Sequence, residues 1–364
     1  MTGGDAGQPV TAPAPDEPPE EGPTADAPAE DAPAEDVSAE EMPLEDAASG
    51  PRLLVAGVDG GGSKTRTVVA DETGRVLGTA DGPASAVRAG AVGGADHSAD
   101  VVAGGVRDAL AAAGLAGARI QALVAGIAGT GREPERAALW QALAARDVAD
   151  EVSVVPDAAI ALDDAFGEGP GVLLIAGTGS VAFARGPDGT FARTGGWGPV
   201  LGDEGSGGWL GRRALNMAVA AADGREPETV LLNALLGALT LDDPSELVAW
   251  AARAKPVDFA ALAPVIGRVA ASGDLRATSL LTLAVEELVL HVRTLARRLF
   301  VDERAAVPVA LAGGLLARGS GVLRKRTEQR LRTAVPGAVV RQEPVDPARG
   351  AVRGALRLLG VEVS

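Results

Sequence analysis

The feature that most constrains this chain is a glycine-rich stretch, residues 171–211, with the sequence GVLLIAGTGSVAFARGPDGTFARTGGWGPVLGDEGSGGWLG. It begins with an apolar run bounded by glycines, which predicts a short buried strand. Gly177, Thr178 and Gly179 follow as a turn whose backbone N–H groups can surround an anion. The chain then resumes as a strand and turns back at residues 186–189, which predicts a hairpin.

The second half of this stretch places polar and aromatic side chains among glycines. Trp197 lies between Gly196 and Gly198, and Asp203 lies next to Glu204. Glycine costs backbone entropy on folding, so folding alone gives little reason for this composition. The pattern favours a ligand site, and the alternative is a pair of hairpins with flexible turns.

A similar turn occurs near the start of the predicted folded part. An apolar strand at residues 53–58 leads into six residues that we expect to grip phosphates before a second strand at 67–70: Asp59, Gly60, Gly61, Gly62, Ser63 and Lys64. Because a strand follows the turn, the pattern differs from a P-loop and from a dinucleotide fingerprint, both of which continue into a helix. Asp59 ends the first strand, where its carboxylate suits a hydrated Mg²⁺.

Asp157 is the candidate catalytic acid or base. It follows a short predicted strand at residues 152–155 and precedes a predicted helix at 158–166. In an α/β sheet this position faces the cleft at the carboxyl ends of the strands. A plain helix-capping role for Asp157 remains the alternative.

The order of elements predicts an α/β protein with two similar halves. The order β-β-β-α-β-α-β-α precedes residue 167, and a second glycine-rich hairpin followed by helices and late strands begins at Gly171. Two such halves imply a cleft between them. Among the helices we predict one at residues 98–113 with Ser98 as its N-cap, and a long one at 275–300.

Composition excludes several kinds of chemistry. The chain has no cysteine, which excludes thiol catalysis and cysteine-ligated clusters, and its two histidines, His97 and His291, make a histidine triad improbable. Residues 1–50 hold 14 acidic and no basic residues, so they account for nearly all of the net charge of −16. We expect residues 1–51 to be a disordered, acidic, Pro- and Ala-rich tail.

The sequence also favours a cytoplasmic protein that binds small molecules. The pattern of a secretory signal is missing, no apolar run is long enough to span a bilayer, and no basic excess indicates nucleic-acid binding.

Together these motifs carry a resemblance that covers about residues 53–359. The hairpin glycines, the acid before a helix, GTGS, GGWGPVLGDEGSG and AGGL are similar to the actin-like sugar kinase and ATPase superfamily, and more narrowly to the N-acetylglucosamine kinase branch of the BadF/BadG/BcrA/BcrD ATPase family. The resemblance implies two actin-like (ribonuclease H-like) lobes, at residues 52–168 and 169–346, with a terminal helix in 347–364 returning to the first lobe. Homodimers are common in that family.

The resemblance also implies site residues. ATP and Mg²⁺ would meet the sugar in the cleft, with Asp157 as the base and Asp59 near the metal. The residues implied to contact ATP are Gly60, Gly61, Gly62, Ser63, Lys64, Gly177, Thr178, Gly179, Ala260, Gly313 and Gly314. The residues implied to hold the sugar are Gly196, Trp197, Gly198 and Asp203.

One loop departs from the family pattern. Members tend to carry Asn after the third strand, where it contacts the sugar, whereas residues 82–87 here read GPASAV. Ser85 could make one hydrogen bond there but cannot imitate an amide. The identity of the sugar therefore stays open.

Three functions are compatible with this sequence. The first is ATP-dependent phosphorylation of an amino sugar, with N-acetylglucosamine converted to its 6-phosphate as the leading substrate. The second is an activator ATPase of 2-hydroxyacyl-CoA dehydratases, which the lack of cysteine disfavours because those activators hold an iron–sulfur cluster. The third is a sensor of nucleotide or sugar that has lost turnover.

Overall fold

The computed structural model describes residues 53–87, 94–302, 305–317, 319 and 321–361. These described residues belong to one compact unit. The predicted acidic tail, residues 1–51, lies outside the described residues.

The first half is built on a mixed five-stranded sheet. Its strands are β1 (Val55–Gly60), β2 (Thr65–Ala70), β3 (Val76–Gly82), β4 (Ala122–Ile127) and β5 (Glu151–Val155). They lie in the order β3-β2-β1-β4-β5, with β1–β2 and β2–β3 antiparallel and β4 and β5 parallel to β1. The β1–β2 hairpin pairs Gly60 with Thr65, so the predicted phosphate-gripping turn lies at the end of the central strand.

Three helices follow these strands: α1 (Gly94–Ala112), α2 (Glu133–Ala144) and α3 (Asp157–Phe166). The prediction for α1 was wrong at its start. Ser98 lies inside the helix on its buried face and does not cap it, because the helix already begins at Gly94.

The second half repeats the same sheet. Its strands are β6 (Gly171–Ala176), β7 (Ser180–Arg185), β8 (Phe191–Gly195), β9 (Val307–Ala312) and β10 (Ala338–Val340). The order is β10-β9-β6-β7-β8, with an antiparallel meander on one side of β6 and parallel strands on the other. The predicted α/β class with two similar sheets is therefore confirmed.

Among the described residues, seven helices lie between β8 and β9 and one lies between β9 and β10. They are α4 (Gly198–Leu201), α5 (Gly207–Ala222), α6 (Leu231–Leu239), α7 (Glu246–Arg253), α8 (Pro256–Ala260), α9 (Ala263–Ala271) and α10 (Leu275–Leu299), and then α11 (Val322–Ala334). The longest, α10, begins where the Asp274 carboxylate accepts the Ala277 N–H at 2.8 Å. Its apolar side joins the core of the second half, which is mostly Leu, Val and Ala.

The last helix, α12 (Pro347–Leu358), returns to the first sheet. Ala348, Ala351 and Val352 pack in one apolar cluster with strand residues of β1 and β4. A Cβ at Gly57 would lie 2.5 Å from the Val352 backbone nitrogen, so this contact needs a glycine on β1. The lobe boundaries given above remain a prediction.

Buried charge fixes α12 against α3. Asp164 is fully buried, and its Oδ2 accepts the Asp346 N–H at 2.8 Å and the Arg349 Nη2 at 2.9 Å. A buried carboxylate is costly unless it is paired in this way. Within the described residues, no helix is long and apolar enough to cross a membrane.

Candidate active site

The first glycine hairpin presents its polar residues to solvent. Gly62, Ser63 and Lys64 are exposed, while the Gly61 N–H donates to the Lys64 carbonyl at 2.9 Å and closes the turn. A Cβ at Gly62 would meet nothing within 4 Å. The turn is therefore open on the side where a phosphate group could approach its backbone N–H groups.

Asp59 and Asp157 lie near each other at the carboxyl ends of β1 and β5. Asp157 is the first residue of α3, and its Oδ1 accepts the Ala158 N–H at 2.9 Å. The Asp157 side chain therefore bonds the first turn of its own helix and also lines the cavity described below. The plain helix-capping alternative was wrong, because the N-cap residue of α3 is Pro156 and Asp157 is the first residue inside the helix.

Burial raises the pKa values of both carboxyls. The pKa of Asp59 rises to about 6, chiefly through burial and then through the negative charges of Asp157 and Asp346, while Lys64 and Arg66 act in the opposite direction. Burial also raises the pKa of Asp157, against the hydrogen bonds from backbone N–H groups. The pair therefore favours a nearby cation when both groups are ionised.

Asp346 was not predicted as part of this acidic group. It is the N-cap residue of α12 and reaches the site only because α12 returns to β1 and α3. The Asp-Pro pair at the start of α12 is a visible capping signal, but it does not reveal which sheet the helix meets.

The second glycine hairpin is braced by backbone contacts. Gly207 N–H donates to the Gly177 carbonyl at 2.8 Å, and Gly208 N–H donates to the Thr178 carbonyl at 3.1 Å. These donors lie at the start of α5, whose N-cap Ser206 accepts the Trp209 N–H. The glycines at 207 and 208 were visible in the sequence, but their part in holding this hairpin was not predicted.

Residues distant in sequence converge around this hairpin. A Cβ at Gly207 would lie 3.0 Å from the Cβ of Ala260 and 3.1 Å from the Gly177 carbonyl oxygen. A Cβ at Gly177 would lie 3.6 Å from the Gly314 nitrogen. The structure thus brings together Gly177, Ala260 and Gly314, all of which the resemblance implied for ATP.

Gly313 has a separate conformational reason to be glycine. Its φ is +85°, and a Cβ there would lie 2.4 Å from the Ala176 carbonyl oxygen. The turn after β9 can therefore approach the end of β6 only with glycine at this position.

The predicted sugar residues lie beside the second hairpin. Asp203 Oδ1 accepts the Ser180 N–H at 3.3 Å, and the Ser180 hydroxyl donates to the Glu204 carbonyl at 2.7 Å. Asp203 has a φ of +61°, an unusual conformation for a non-glycine residue. Trp197 is 66% exposed, and the Arg193 guanidinium lies 5.0 Å from the centroid of its ring.

The end of β8, just before the predicted sugar residues, packs against His291 of α10. A Cβ at Gly195 would lie 2.8 Å from His291 Cε1, so the imidazole packs directly on the end of β8. Burial lowers the pKa of His291, against the opposing effect of Glu204. His291 therefore has a structural contact with the end of β8.

The position of Ser85 favours support of the first glycine hairpin over contact with a substrate. Its side chain is fully buried, and its hydroxyl accepts the Thr65 Oγ1–H at 2.7 Å. Its N–H donates to the Gly61 carbonyl at 3.2 Å. Ser85 thus supports the first hairpin, and the predicted sugar contact of this residue remains a prediction.

A cavity of about 760 Å³ opens beside Asp157, between the two sheets. It is lined from the first half by Arg132, Glu135, Arg136 and Asp157, and from the second half by Phe183, Phe191 and Arg193. Its size suits a small organic ligand. Apart from Asp157, none of these residues was predicted, because they approach one another only through strand register and the packing of the two halves.

The residues near Asp59 suit a hydrated Mg²⁺. Within the described ranges, no three Asp, Glu, His or Cys side chains form a protein cage for a metal. Mg²⁺ commonly retains several waters and binds one or two carboxylates together with substrate phosphates, so a full cage is not required. Asp59, whose ionised form is disfavoured by burial and by Asp157, is the carboxylate that a cation would stabilise.

Comparisons with known proteins agree on one family. The model of the BadF/BadG/BcrA/BcrD ATPase family matches residues 56–355. N-acetyl-D-glucosamine kinase of Dictyostelium discoideum is 28% identical, over 83% of this chain and 98% of that protein. N-acetylmuramic acid/N-acetylglucosamine kinase of Clostridium acetobutylicum is 29% identical, over 72% of this chain and 85% of that protein.

A solved structure gives the same result. A protein from Chromobacterium violaceum, described as a candidate N-acetylglucosamine kinase, has 33% sequence identity and a TM-score of 0.66. The match covers 82% of this chain and 98% of the other.

Proposed function

The chain belongs to the BadF/BadG/BcrA/BcrD ATPase family, and from this premise we propose that it transfers the terminal phosphoryl group of ATP to an amino sugar. It is an ATP-dependent sugar kinase, as its curated relatives are. N-acetylglucosamine is the leading substrate, and its 6-hydroxyl is the proposed acceptor. The supporting observation is the position of Asp157, which lies near Asp59 and lines the cavity between the two sheets.

Asp157 is the proposed general base. A sugar hydroxyl is a weak nucleophile, and a carboxylate within hydrogen-bond reach can accept its proton as the oxygen attacks the γ-phosphorus. The bond from that phosphorus to the bridging oxygen breaks, and ADP leaves with the bond's electron pair. The raised pKa of Asp157 makes this carboxylate a better proton acceptor than an ordinary one.

The remaining groups are proposed to bind the ATP phosphates, neutralise their charge and orient the sugar. Phosphoryl transfer depends mainly on positioning and on stabilisation of charge. The turns at residues 61–63 and 177–179, with Lys64, are proposed to hold the phosphates. Backbone N–H groups other than those of Gly61 and Gly177 would do so, because those two donate to the Lys64 and Gly179 carbonyls within the turns. Mg²⁺, when bound near Asp59, would neutralise phosphate charge. Trp197 and Asp203 are proposed to hold the sugar ring and its hydroxyls.

The proposal also bears on where the protein acts. An enzyme that consumes ATP would act in the cytoplasm, and we propose that location for it. A homodimer remains a prediction.

The test is a substrate panel with ATP and Mg²⁺. N-acetylglucosamine should yield a sugar phosphate, and its 6-deoxy analogue should not. Asp157→Asn should lower kcat by about 10²- to 10⁴-fold while ATP still binds, and Asp108→Asn, an exposed acid on α1, is the matched control. Wild-type turnover in Asp157→Asn would remove the proposed base, and no turnover with any hexosamine would favour the sensor alternative.

A further inference from the structure

The turn that follows β4, residues 128–131, is bonded to the first glycine hairpin on one side. The Ala128 N–H donates to the Gly60 carbonyl at 2.8 Å, and the Ala128 carbonyl accepts the Val87 N–H at 2.9 Å. Gly129 has a φ of +91°, and a Cβ there would overlap the Val87 carbonyl oxygen. The turn can therefore lie against the loop after β3 only with glycine at this position.

Thr130 joins this turn to the strand that precedes Asp157. Thr130 is fully buried, and its hydroxyl lies 2.7 Å from the Ile127 carbonyl oxygen and 3.0 Å from the Val155 carbonyl oxygen. The paired register of β4 and β5 ends at Gly126 and Val155. The hydroxyl therefore links the last residues of the two strands beyond the end of their ladder, with its one proton shared between the two carbonyls.

The position of Asp157 depends on where β5 ends. Only Pro156 separates Val155 from Asp157, and its ring restricts the backbone there, where φ is −60°. A displacement of the Val155 carbonyl is therefore carried to Asp157. The turn also lines the cavity through Gly129 and Gly131, so it lies beside the space where the acceptor sugar is proposed to bind.

We propose that Thr130 is a positioning residue for the phosphoryl transfer. Its hydroxyl fixes the end of β5, and through it the Asp157 carboxylate, relative to the first glycine hairpin. This inference rests on the proposed sugar kinase activity and on Asp157 as its base. The competing explanation is a plain folding role, because the loss of a buried hydrogen bond lowers stability wherever it lies. A folding role predicts a loss of stability alone, whereas positioning predicts a loss of kcat that depends on Asp157.

The first test removes the hydroxyl and keeps the shape of the side chain. Thr130→Val should lower kcat by about 10- to 100-fold, because a small displacement of a catalytic group has an effect of this size. The KM for ATP should stay within about twofold. Thr130→Ser keeps a hydroxyl and should recover most of kcat.

Thr327→Val is the matched control. Thr327 is also fully buried, and its hydroxyl donates to the Leu323 carbonyl at 2.9 Å within α11. This variant should lose a similar free energy of unfolding, measured by urea denaturation, and keep the wild-type kcat.

A double variant separates positioning from folding. The base is already lost in Asp157→Asn, so adding Thr130→Val should change kcat by less than about twofold. Amide hydrogen exchange of the ligand-free protein gives a readout that needs no turnover. The Ala158 N–H donates to Asp157 Oδ1, and its exchange should become faster in Thr130→Val but not in Thr327→Val.

Four outcomes would overturn the inference: wild-type kcat in Thr130→Val, an equal loss of kcat in the Thr327→Val control, losses that multiply in the double variant, or unchanged exchange at Ala158. If the wild-type protein phosphorylates no amino sugar, the proposed function itself is rejected. The exchange comparison tests the contact of Thr130 with the end of β5 in either case.

Discussion

The two glycine hairpins occupy the same position in two sheets of the same strand order, yet they are held differently. The first, between β1 and β2, is open, and a Cβ at Gly62 would meet nothing. The second, between β6 and β7, is enclosed: a Cβ at Gly208 would lie 2.8 Å from the Thr178 carbonyl oxygen. Repeated topology therefore does not imply repeated packing.

The difference separates two ways of binding an anion. Near the first hairpin lie the ionisable groups Asp59, Asp157 and Lys64, whose charges act on one another. Around the second, α5, α8 and the turn after β9 supply backbone contacts and small residues. We expect the first region to respond most to changes of charge, and the second to changes of volume.

The largest effect is expected from Asp59→Asn in the first region. Loss of this carboxylate should lower kcat by about 100-fold or more, since charge neutralisation at the phosphates is a large part of phosphoryl transfer. Raised Mg²⁺ concentration should recover part of the loss. Near-wild-type kcat at all Mg²⁺ concentrations would contradict the role given to Asp59.

The same variant should stabilise the ligand-free protein at neutral pH. The pKa of Asp59 is raised from 3.8 to about 6, so the folded state binds this proton more tightly than the unfolded state does. That contribution to stability is present below pH 3.8 and is lost as pH rises through about 6. Asp59→Asn should therefore raise the free energy of unfolding at pH 8 by about 1–3 kcal/mol, measured by urea denaturation, and the gain should shrink near pH 4.

Volume should matter more in the second region. Gly313→Ala places a side chain at φ +85° and 2.4 Å from the Ala176 carbonyl oxygen, so it should cost about 2–4 kcal/mol of stability and weaken ATP binding. Gly62→Ala in the first hairpin should change stability by less than about 0.5 kcal/mol. If denaturation shows the same loss in the free energy of unfolding for both variants, the two hairpins do not differ in packing.

The pH profile tests the charged region without mutation. As pH falls through about 6, Asp59 becomes protonated, and the raised pKa of Asp157 adds to the loss of active enzyme. We expect kcat/KM to fall about tenfold or more per pH unit below that range. A flat profile down to pH 4.5 would show that neither carboxylate must be ionised.

The smallest effect is expected at Trp197, next to the second hairpin. Trp197→Ala removes an exposed ring and its contact with Arg193, and it should raise the KM for sugar by roughly 5- to 20-fold. The KM for ATP should stay within about twofold, because the ring is assigned to the sugar and not to the nucleotide. Trp140→Ala, an exposed tryptophan on α2, is the control variant.

Much of the fold was predictable from local pattern. The apolar runs ending in glycine predicted the central strands β1 and β6 and both hairpins, and the Asp157 position was predicted from a strand followed by a helix. The start of α1 and the short helices α4 and α8 were not, because tertiary packing decides where short helices begin and end.

The sequence by itself determined the elements whose cause is local: glycine where the backbone must turn or approach closely, apolar runs where strands are buried, and an acid at the end of a strand. Tertiary structure alone decided which of these elements meet. The return of α12 brings Asp346 near Asp59, and strand register carries Arg193 to the cavity of Asp157. Those pairs are separated by more than 30 residues, and no local preference of the backbone encodes a distance between them.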